Sequence, residues 1–237
     1  MSVLGIIGGL GPMATAYFLQ LLTQMTDAQI DQEHVEILIH SKPQIPDRTS
    51  YILGNSDKSP VTDMVEVGRG LVKQGADILA IPCITAHYFQ KELEAAIGIP
   101  IINAIDETVK YLKDRGIDKV GIMATDGTIE SGIFQKALEE EGVEVFVPSQ
   151  AQQKNVMYLI YENVKAGKKL ELPIFQEVSD ELLGNGAQVI LLGCTELSLL
   201  KRDYDLAPLY LDVMEVLARK AVLSCKKLNP KYEDLFS

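Results

Sequence analysis

The chain has 237 residues, of which 47% are hydrophobic and 23% charged, a composition typical of a globular protein with one or two domains. Its 22 basic and 33 acidic residues give a net charge of -11, which disfavours nucleic acid and anionic membranes as partners. No apolar run approaches the roughly 20 residues that span a bilayer, and the N-terminal MSVLGIIGG lacks the features of a secretory signal, so we expect a cytoplasmic protein.

Short β-branched runs alternate along the chain with longer amphipathic stretches. The predicted strands are residues 3–7, 35–39, 78–81, 101–103, 119–124, 144–148, 189–192 and 208–211. The predicted helices are residues 13–25, 61–74, 88–96, 104–115, 132–141 and 174–184. Apolar runs of this length, bounded by Gly and Pro, are typical of buried parallel strands, so the alternation predicts an α/β fold built from βαβ units.

An internal repeat divides the chain into two similar halves. VLGIIGGLGPMAT, from Val3, resembles KVGIMATDGTIES, from Lys119, and GADILAIPCIT, from Gly75, resembles GAQVILLGCTE, from Gly186. We therefore predict two pseudo-symmetric α/β lobes, each a parallel sheet flanked by helices, with the active site in the cleft between them. The predicted first lobe is residues 1–103 plus 208–237, and the second is residues 104–207.

Two of the three cysteines occupy equivalent positions in the repeat. Cys83 and Cys194 each follow a predicted buried strand and precede a predicted helix, whereas Cys225 lies in an apolar helical pattern and is interpreted as core. The odd number and the absence of CxxC pairs argue against a disulfide framework and a structural metal site. Because sites in parallel sheets form at the carboxyl ends of strands, the two thiols can face one another across the cleft.

Facing thiols suit proton transfer at a carbon atom that must be approached from both sides. Interconversion of two enantiomers requires a base on one face of Cα and an acid on the other, and two like residues can exchange these roles. A duplicated lobe with a duplicated cysteine supplies such a pair.

The chain resembles the aspartate/glutamate racemases, which use no pyridoxal phosphate. The motifs that carry the resemblance are GIIGGLGPMATA (residues 5–16), PQIPDRTSYILG (43–54), IPCITAH (81–87), GIMATDGTIESGIFQKAL (121–138), YENVKAG (161–167) and LLGCTEL (191–197). The resemblance implies a metal-free and cofactor-free amino acid racemase, usually a homodimer. It implies that Cys194 deprotonates the L substrate and Cys83 the D substrate.

The resemblance also implies a set of substrate-binding residues. Arg48 and Lys165 match residues that hold the acidic side chain of the substrate in similar enzymes. Thr125, Thr128 and Met13 match residues of the substrate pocket.

Other polar residues beside the cysteines have two interpretations. Thr85 and Thr195 follow the two cysteines and can bind substrate or act as helix N-caps. Glu196 can contact the substrate ammonium group or cap its helix. GLGPMA, from Gly9, also fits a dinucleotide-binding loop, although His40 stands where that interpretation expects an acid.

One residue departs from the pattern of the family. Relatives usually have Asn after the first cysteine, and this chain has Ile84. Aspartate and glutamate are the predicted substrates, with other or broad specificity, or a catalytically impaired amino-acid-binding homologue, as the alternative. A thiol redox protein, and decarboxylation or isomerisation through a similar carbanion, also stay open.

Overall fold

Two parallel sheets organise the chain, in a computed structural model that describes residues 2–168, 171–204 and 206–236. The first sheet has the order β2–β1–β3 and the second β5–β4–β6–β7, with every pairing parallel. The strands are β1 (Leu4–Gly8), β2 (Ile37–Ser41), β3 (Ile78–Ala80), β4 (Lys119–Met123), β5 (Glu144–Phe146), β6 (Val189–Leu192) and β7 (Tyr210–Asp212). The predicted α/β fold with two parallel sheets is confirmed.

Eleven α-helices connect and cover these strands within the described residues. They are α1 (Pro12–Met25), α2 (Arg48–Ile52), α3 (Val61–Lys73), α4 (Gln90–Ile97), α5 (Ala104–Lys113), α6 (Asp126–Ser131), α7 (Ile133–Glu140), α8 (Gln150–Tyr158), α9 (Leu172–Gly184), α10 (Thr195–Asp203) and α11 (Val213–Cys225). A 3₁₀ turn spans Ile84–Phe89, and a π-helical turn, Leu159–Val164, continues α8. In the part of the chain that is described, no helix is both long and apolar enough to cross a membrane.

The two halves repeat the same strand order. In each half the first strand (β1 or β4) lies between the second (β2 or β5) and the third (β3 or β6). The largest core cluster joins the halves, because it contains residues from β1, β4 and β6 together with α1, α5 and α11. A second cluster lies between the first sheet and α3 and α4, and a third between the second sheet and α8 and α9. Each sheet is therefore covered on both faces, as parallel sheets require.

One predicted strand needs correction, and one segment joins the two halves. The predicted strand 101–103 is reduced to a single bridge between Ile101 and Leu79, because Asn103 caps the start of α5 and accepts hydrogen bonds from Ile105 N and Asp106 N. In the segment 208–237, which the predicted boundaries assign to the first lobe, strand β7 pairs with β6 of the second sheet. Its helix α11 packs against both α1 and α5. The sequence of an edge strand does not specify its partner, because the strand pairs with whichever neighbouring strand has a free edge.

Candidate active site

Each of the two equivalent cysteines stands between a strand and a helical turn. Cys83 follows β3 and is the N-cap of the 3₁₀ turn, and Cys194 follows β6 and is the N-cap of α10. Both residues are extended, both are free thiols, and each keeps only 6% of its surface exposed. The same local sequence therefore places both sulfur atoms at the carboxyl edges of their sheets.

Both cysteines line one narrow cavity between the two halves, with a volume of about 10 Å³, which is room for about one water molecule. The first half contributes Leu10, Asp47, Arg48, Thr49, Cys83, Ile84 and Thr85, and the second contributes Thr125, Tyr161, Lys165, Cys194, Thr195 and Glu196. The walls thus combine two thiols, two cations, two carboxylates and four threonine residues. Such a set of convergent polar groups in a cleft is typical of a small-molecule site.

The Cys194 thiol is held beside a carboxylate. Its Sγ donates a hydrogen bond to Glu196 Oε2 at 2.9 Å, and Thr195 Oγ1 donates to the same oxygen at 3.3 Å. Burial raises the pKa of Cys194 well above its ordinary value, the charge of Glu196 raises it further, and Lys165 partly opposes both effects. Cys194 therefore keeps its proton at neutral pH in the free protein.

Arg48 places a buried positive charge near the other cysteine. Its Nη1 donates to Pro46 O at 3.1 Å and Ile45 O at 3.5 Å, and its Nη2 donates to Leu10 O at 3.2 Å. Burial acts to lower the pKa of Arg48, but Cys83 and then Asp47 raise it. Nε is buried with no hydrogen-bond partner among the described residues. Arg48 thus fixes its loop through main-chain carbonyls and keeps part of its donor capacity unused.

Lys165 reaches the cavity from the end of the π-helical turn. Its Nζ lies 3.9 Å from Glu196 Oε1 and 3.9 Å from the centre of the Tyr161 ring, and 28% of its side chain is exposed. Burial acts to lower the pKa of Lys165, but Glu196 and Cys194 raise it, so its ammonium group stays charged. The Tyr161 hydroxyl donates to Asp47 Oδ2 at 3.4 Å, which ties the turn to the loop of the first half.

Three threonine hydroxyls join the two halves beside Cys83. Thr85 Oγ1 lies 3.0 Å from both Thr125 Oγ1 and Thr128 Oγ1, and these two lie 3.1 Å apart. The backbones also approach closely here, because a Cβ added to Gly127 would lie 2.9 Å from Thr49 Cα. Only a glycine permits this approach, so Gly127 allows α6 to pack closely against α2 beside the hydroxyl cluster.

The structure brings most of the predicted site residues together. Those that line the cavity are Arg48, Cys83, Thr85, Thr125, Lys165, Cys194, Thr195 and Glu196. Thr128 lies one hydrogen bond behind it. Met13, in contrast, is 61% exposed and borders a separate surface groove with Arg202 and Tyr204, because it occupies the outer side of the first turn of α1.

Sequence reasoning missed Tyr161 as a cavity residue. It lies four residues before Lys165 in YENVKAG, so helical spacing alone would have placed the two side chains on one face. The π-helical geometry of this turn has no comparable signal in the sequence.

Comparison with known proteins places the chain in a family. The family model described as Asp/Glu/Hydantoin racemase matches residues 7–221. The broad specificity amino-acid racemase RacX of Bacillus subtilis is 26% identical over 205 residues, which cover 83% of this chain and 86% of RacX.

Solved structures agree with this assignment. An aspartate racemase of Picrophilus torridus has 31% identity and a TM-score of 0.86, with 100% of both chains covered. A glutamate racemase from Francisella tularensis, solved with D-glutamate, has 17% identity and a TM-score of 0.68, covers 94% of this chain and 80% of that one, and shares the fold. The protein therefore belongs to the Asp/Glu/Hydantoin racemase family, as the resemblance predicted, and is an amino acid racemase.

Proposed function

We propose that the protein interconverts the L and D forms of an amino acid by proton transfer at Cα, with Cys83 and Cys194 as the two acid/base groups. The observation that carries this proposal is that both thiols, from equivalent positions of the two halves, line the same cavity. A substrate bound between the halves would present opposite faces of its Cα to the two sulfur atoms. One sulfur would accept the proton while the other donates one.

The surroundings of Cys194 support its role as the acid towards the D substrate. Burial and the hydrogen bond to Glu196 retain the proton on Cys194 in the free protein. With the D substrate, Cys83 would act as the base and take the Cα proton, leaving the electron pair of the broken C–H bond on Cα. The Cys194 S–H would then protonate the opposite face and give the L form, and the reverse reaction would exchange these roles.

Fixed hydrogen-bond donors support the carbanion that this step requires. The hydroxyls of Thr85 and Thr195 lie beside the two thiols, where they would hold the substrate carboxylate as charge develops on it. Glu196 would accept a hydrogen bond from the substrate ammonium group. Such preorganised groups contribute much of the rate enhancement in enzymes that generate charge in a buried site.

Aspartate or glutamate is the proposed substrate, with Arg48 and Lys165 binding the distal carboxylate. The full-length similarity to the Picrophilus aspartate racemase supports this choice. The alternative, a broader specificity, is favoured by the similarity to RacX and by Ile84, an apolar residue among those that line the cavity. By the same resemblance, we propose a homodimer in the cytoplasm.

The test is a screen of single amino acid enantiomers in D₂O, followed by chiral chromatography and mass spectrometry. The wild-type protein should convert at least one acidic amino acid and incorporate deuterium at Cα. Cys83→Ala and Cys194→Ala should each abolish conversion. Cys225→Ala is the matched control, because Cys225 lies outside the cavity, and it should retain the wild-type rate. Binding of an amino acid without any exchange would instead identify a catalytically impaired homologue and overturn the proposal.

A further inference from the structure

A second buried polar cluster lies outside the cavity, where α10 meets α11. Asp212 is fully buried at the end of β7. Its Oδ1 accepts hydrogen bonds from Ser198 Oγ at 2.7 Å and from Met214 N at 2.9 Å. Its Oδ2 is buried with no hydrogen-bond partner among the described residues. A single carboxyl group thus caps the start of α11 and also holds a side chain of α10.

A second contact of the same kind lies one turn further along both helices. Lys201 Nζ lies 2.7 Å from Glu215 Oε2 and also donates to Leu235 O at 2.7 Å. Ser198 and Lys201 are three residues apart on α10, and Asp212, the N-cap of α11, lies three residues before Glu215. Residues at this spacing share a helix face, so the two contacts form the rungs of a ladder between the helices. We call these four residues the α10–α11 ladder.

The ladder lies directly behind the Cys194 side of the cavity. Asp212 is in register with Leu192, the last residue of β6, and Cys194 follows two residues later as the N-cap of α10. Ser198 is the fourth residue after Cys194, one helical turn away, and Glu196 lies between them in the first turn. A displacement of α10 would therefore move the Cys194–Glu196 hydrogen bond.

The ladder contains one carboxyl group, that of Asp212, whose pKa lies near neutral pH. Burial and then the charge of Glu215 raise the pKa of Asp212 to about 7, against the opposing effects of the Ser198 and Met214 hydrogen bonds and of Lys201. Burial also raises the pKa of Glu215, and Lys201 lowers it. Tyr17 of α1 faces both carboxyl groups and Arg202 of α10, and burial raises its pKa, so that it stays protonated.

The direction of the pH effect follows from these contacts. A carboxyl group whose pKa is raised by folding stabilises the folded state most at low pH, where it is neutral in both states. This contribution is lost as the pH rises through the folded value of about 7. Above that pH, Asp212 carries a charge in a buried position with two donors and one unpartnered oxygen, an arrangement that favours separation of the helices.

We propose that Asp212 is a positioning residue that holds α10, and with it the Cys194–Glu196 pair, through Ser198, and that ionisation of its buried carboxyl group favours opening of the contact between α10 and α11, because opening exposes the charge to water. The part concerning Cys194 rests on the proposed function, whereas the part concerning α10 does not. Asp212 touches no cavity-lining residue through the hydrogen bonds described, so it acts through α10 rather than on substrate.

The first test is amide hydrogen exchange of α10, which needs no substrate. After correction for the intrinsic pH dependence of exchange, amides of residues 197–202 should exchange about tenfold faster at pH 8 than at pH 6 in the wild-type protein. Asp212→Asn keeps the cap and the Ser198 acceptor without the charge, so this step should disappear. Ser198→Ala should exchange fast at both pH values. The control is Ser179→Ala, which should behave like wild type. It removes another buried hydroxyl of the second half, one that accepts a hydrogen bond from Tyr210 OH.

The second test is enzymatic. Ser198→Ala should lower kcat by about tenfold with a smaller change in KM, and Asp212→Asn should retain activity at pH 6 while losing the inflection near pH 7. A wild-type exchange step that persists in Asp212→Asn, or α10 protection unchanged in Ser198→Ala, would overturn the proposed hold. If the exchange results are as expected but Ser198→Ala leaves kcat unchanged in an active enzyme, only the proposed effect of α10 on Cys194 would be overturned. If Asp212→Asn does not fold, Ser198→Ala decides whether the hydrogen bond holds α10, and a wild-type protein without an exchange step between pH 6 and pH 8 would overturn the effect of ionisation.

Discussion

Replacing Glu196 with Gln should release the proton of Cys194. Glu196 Oε2 lies 2.9 Å from Cys194 Sγ, and two unit charges at that separation repel by about 6 kcal/mol at an effective dielectric constant of about 20. The charge is shared between two oxygens, and Lys165 lies 3.9 Å from Oε1, so the net effect is smaller. If Glu196→Gln removes a net repulsion of only ~1.4 kcal/mol, the thiolate fraction of Cys194 at a fixed pH still rises about tenfold.

The assay is alkylation of Cys194 by iodoacetamide as a function of pH, followed by mass spectrometry in a Cys83→Ala, Cys225→Ala background. Below the titration of Cys194, the Glu196→Gln protein should react at least about tenfold faster. Glu162→Gln, at an exposed position of the π-helical turn, is the control and should leave the rate unchanged. Equal or slower alkylation of the Glu196→Gln protein would refute the electrostatic account of this thiol.

The same reasoning applies to turnover. If one thiol must be ionised and the other protonated, the rate should be bell-shaped in pH, with limits that belong to the pair. The alkaline limb reports loss of the second proton, which the raised pKa of Cys194 places at high pH. Glu196→Gln should therefore move this limb to lower pH in the enzyme with both cysteines intact.

Three further substitutions test other parts of the site. Arg48→Lys keeps the charge but loses the planar guanidinium group that donates to three carbonyl oxygens, and it should lower kcat/KM for an acidic substrate by at least about tenfold. A wild-type kcat/KM in steady-state kinetics would contradict this role. Thr85→Val removes the central hydroxyl of the threonine cluster and should lower the free energy of unfolding in urea by about 1–3 kcal/mol, against no change for the exposed Thr23→Val. Ile84→Asn should raise kcat/KM for aspartate relative to a neutral amino acid by about tenfold or more, and an unchanged ratio would show that position 84 does not control specificity.

Much of the fold could be predicted from the sequence because the patterns that indicate strands and helices are local. Parallel strands buried on both faces read as short apolar runs, and the repeated Gly-Ala-to-Cys phrase indicated that two thiols occupy equivalent strand ends. The predicted strand 101–103 failed because the capping preference of Asn103 prevailed over the apolar pattern of Ile101 and Ile102. The sheet to which β7 belongs depends on which edge is free, and no local pattern states that.

The chemistry of the site was less accessible. The hydrogen bond between Cys194 and Glu196 depends on two side-chain rotamers. The hydrogen bonds from Arg48 to carbonyls of its own loop and of Leu10 depend on how two loops pack together. Met13 was predicted from a motif alone, and the motif does not specify how the first turn of α1 is oriented. The role suggested for Asp212 arises only where two helices from neighbouring strands come together.

The central claim, that two sulfur atoms act on opposite faces of one carbon, is tested most directly by early-time isotope analysis in D₂O. The reaction of a single enantiomer is stopped when a few per cent has been converted. The product and the recovered substrate are then separated, and the deuterium content of each is measured by mass spectrometry. Two independent bases predict a product that carries one solvent deuterium at Cα while the recovered substrate retains its hydrogen. A product that keeps the hydrogen of the substrate would mean that one group serves both faces, and it would contradict the account.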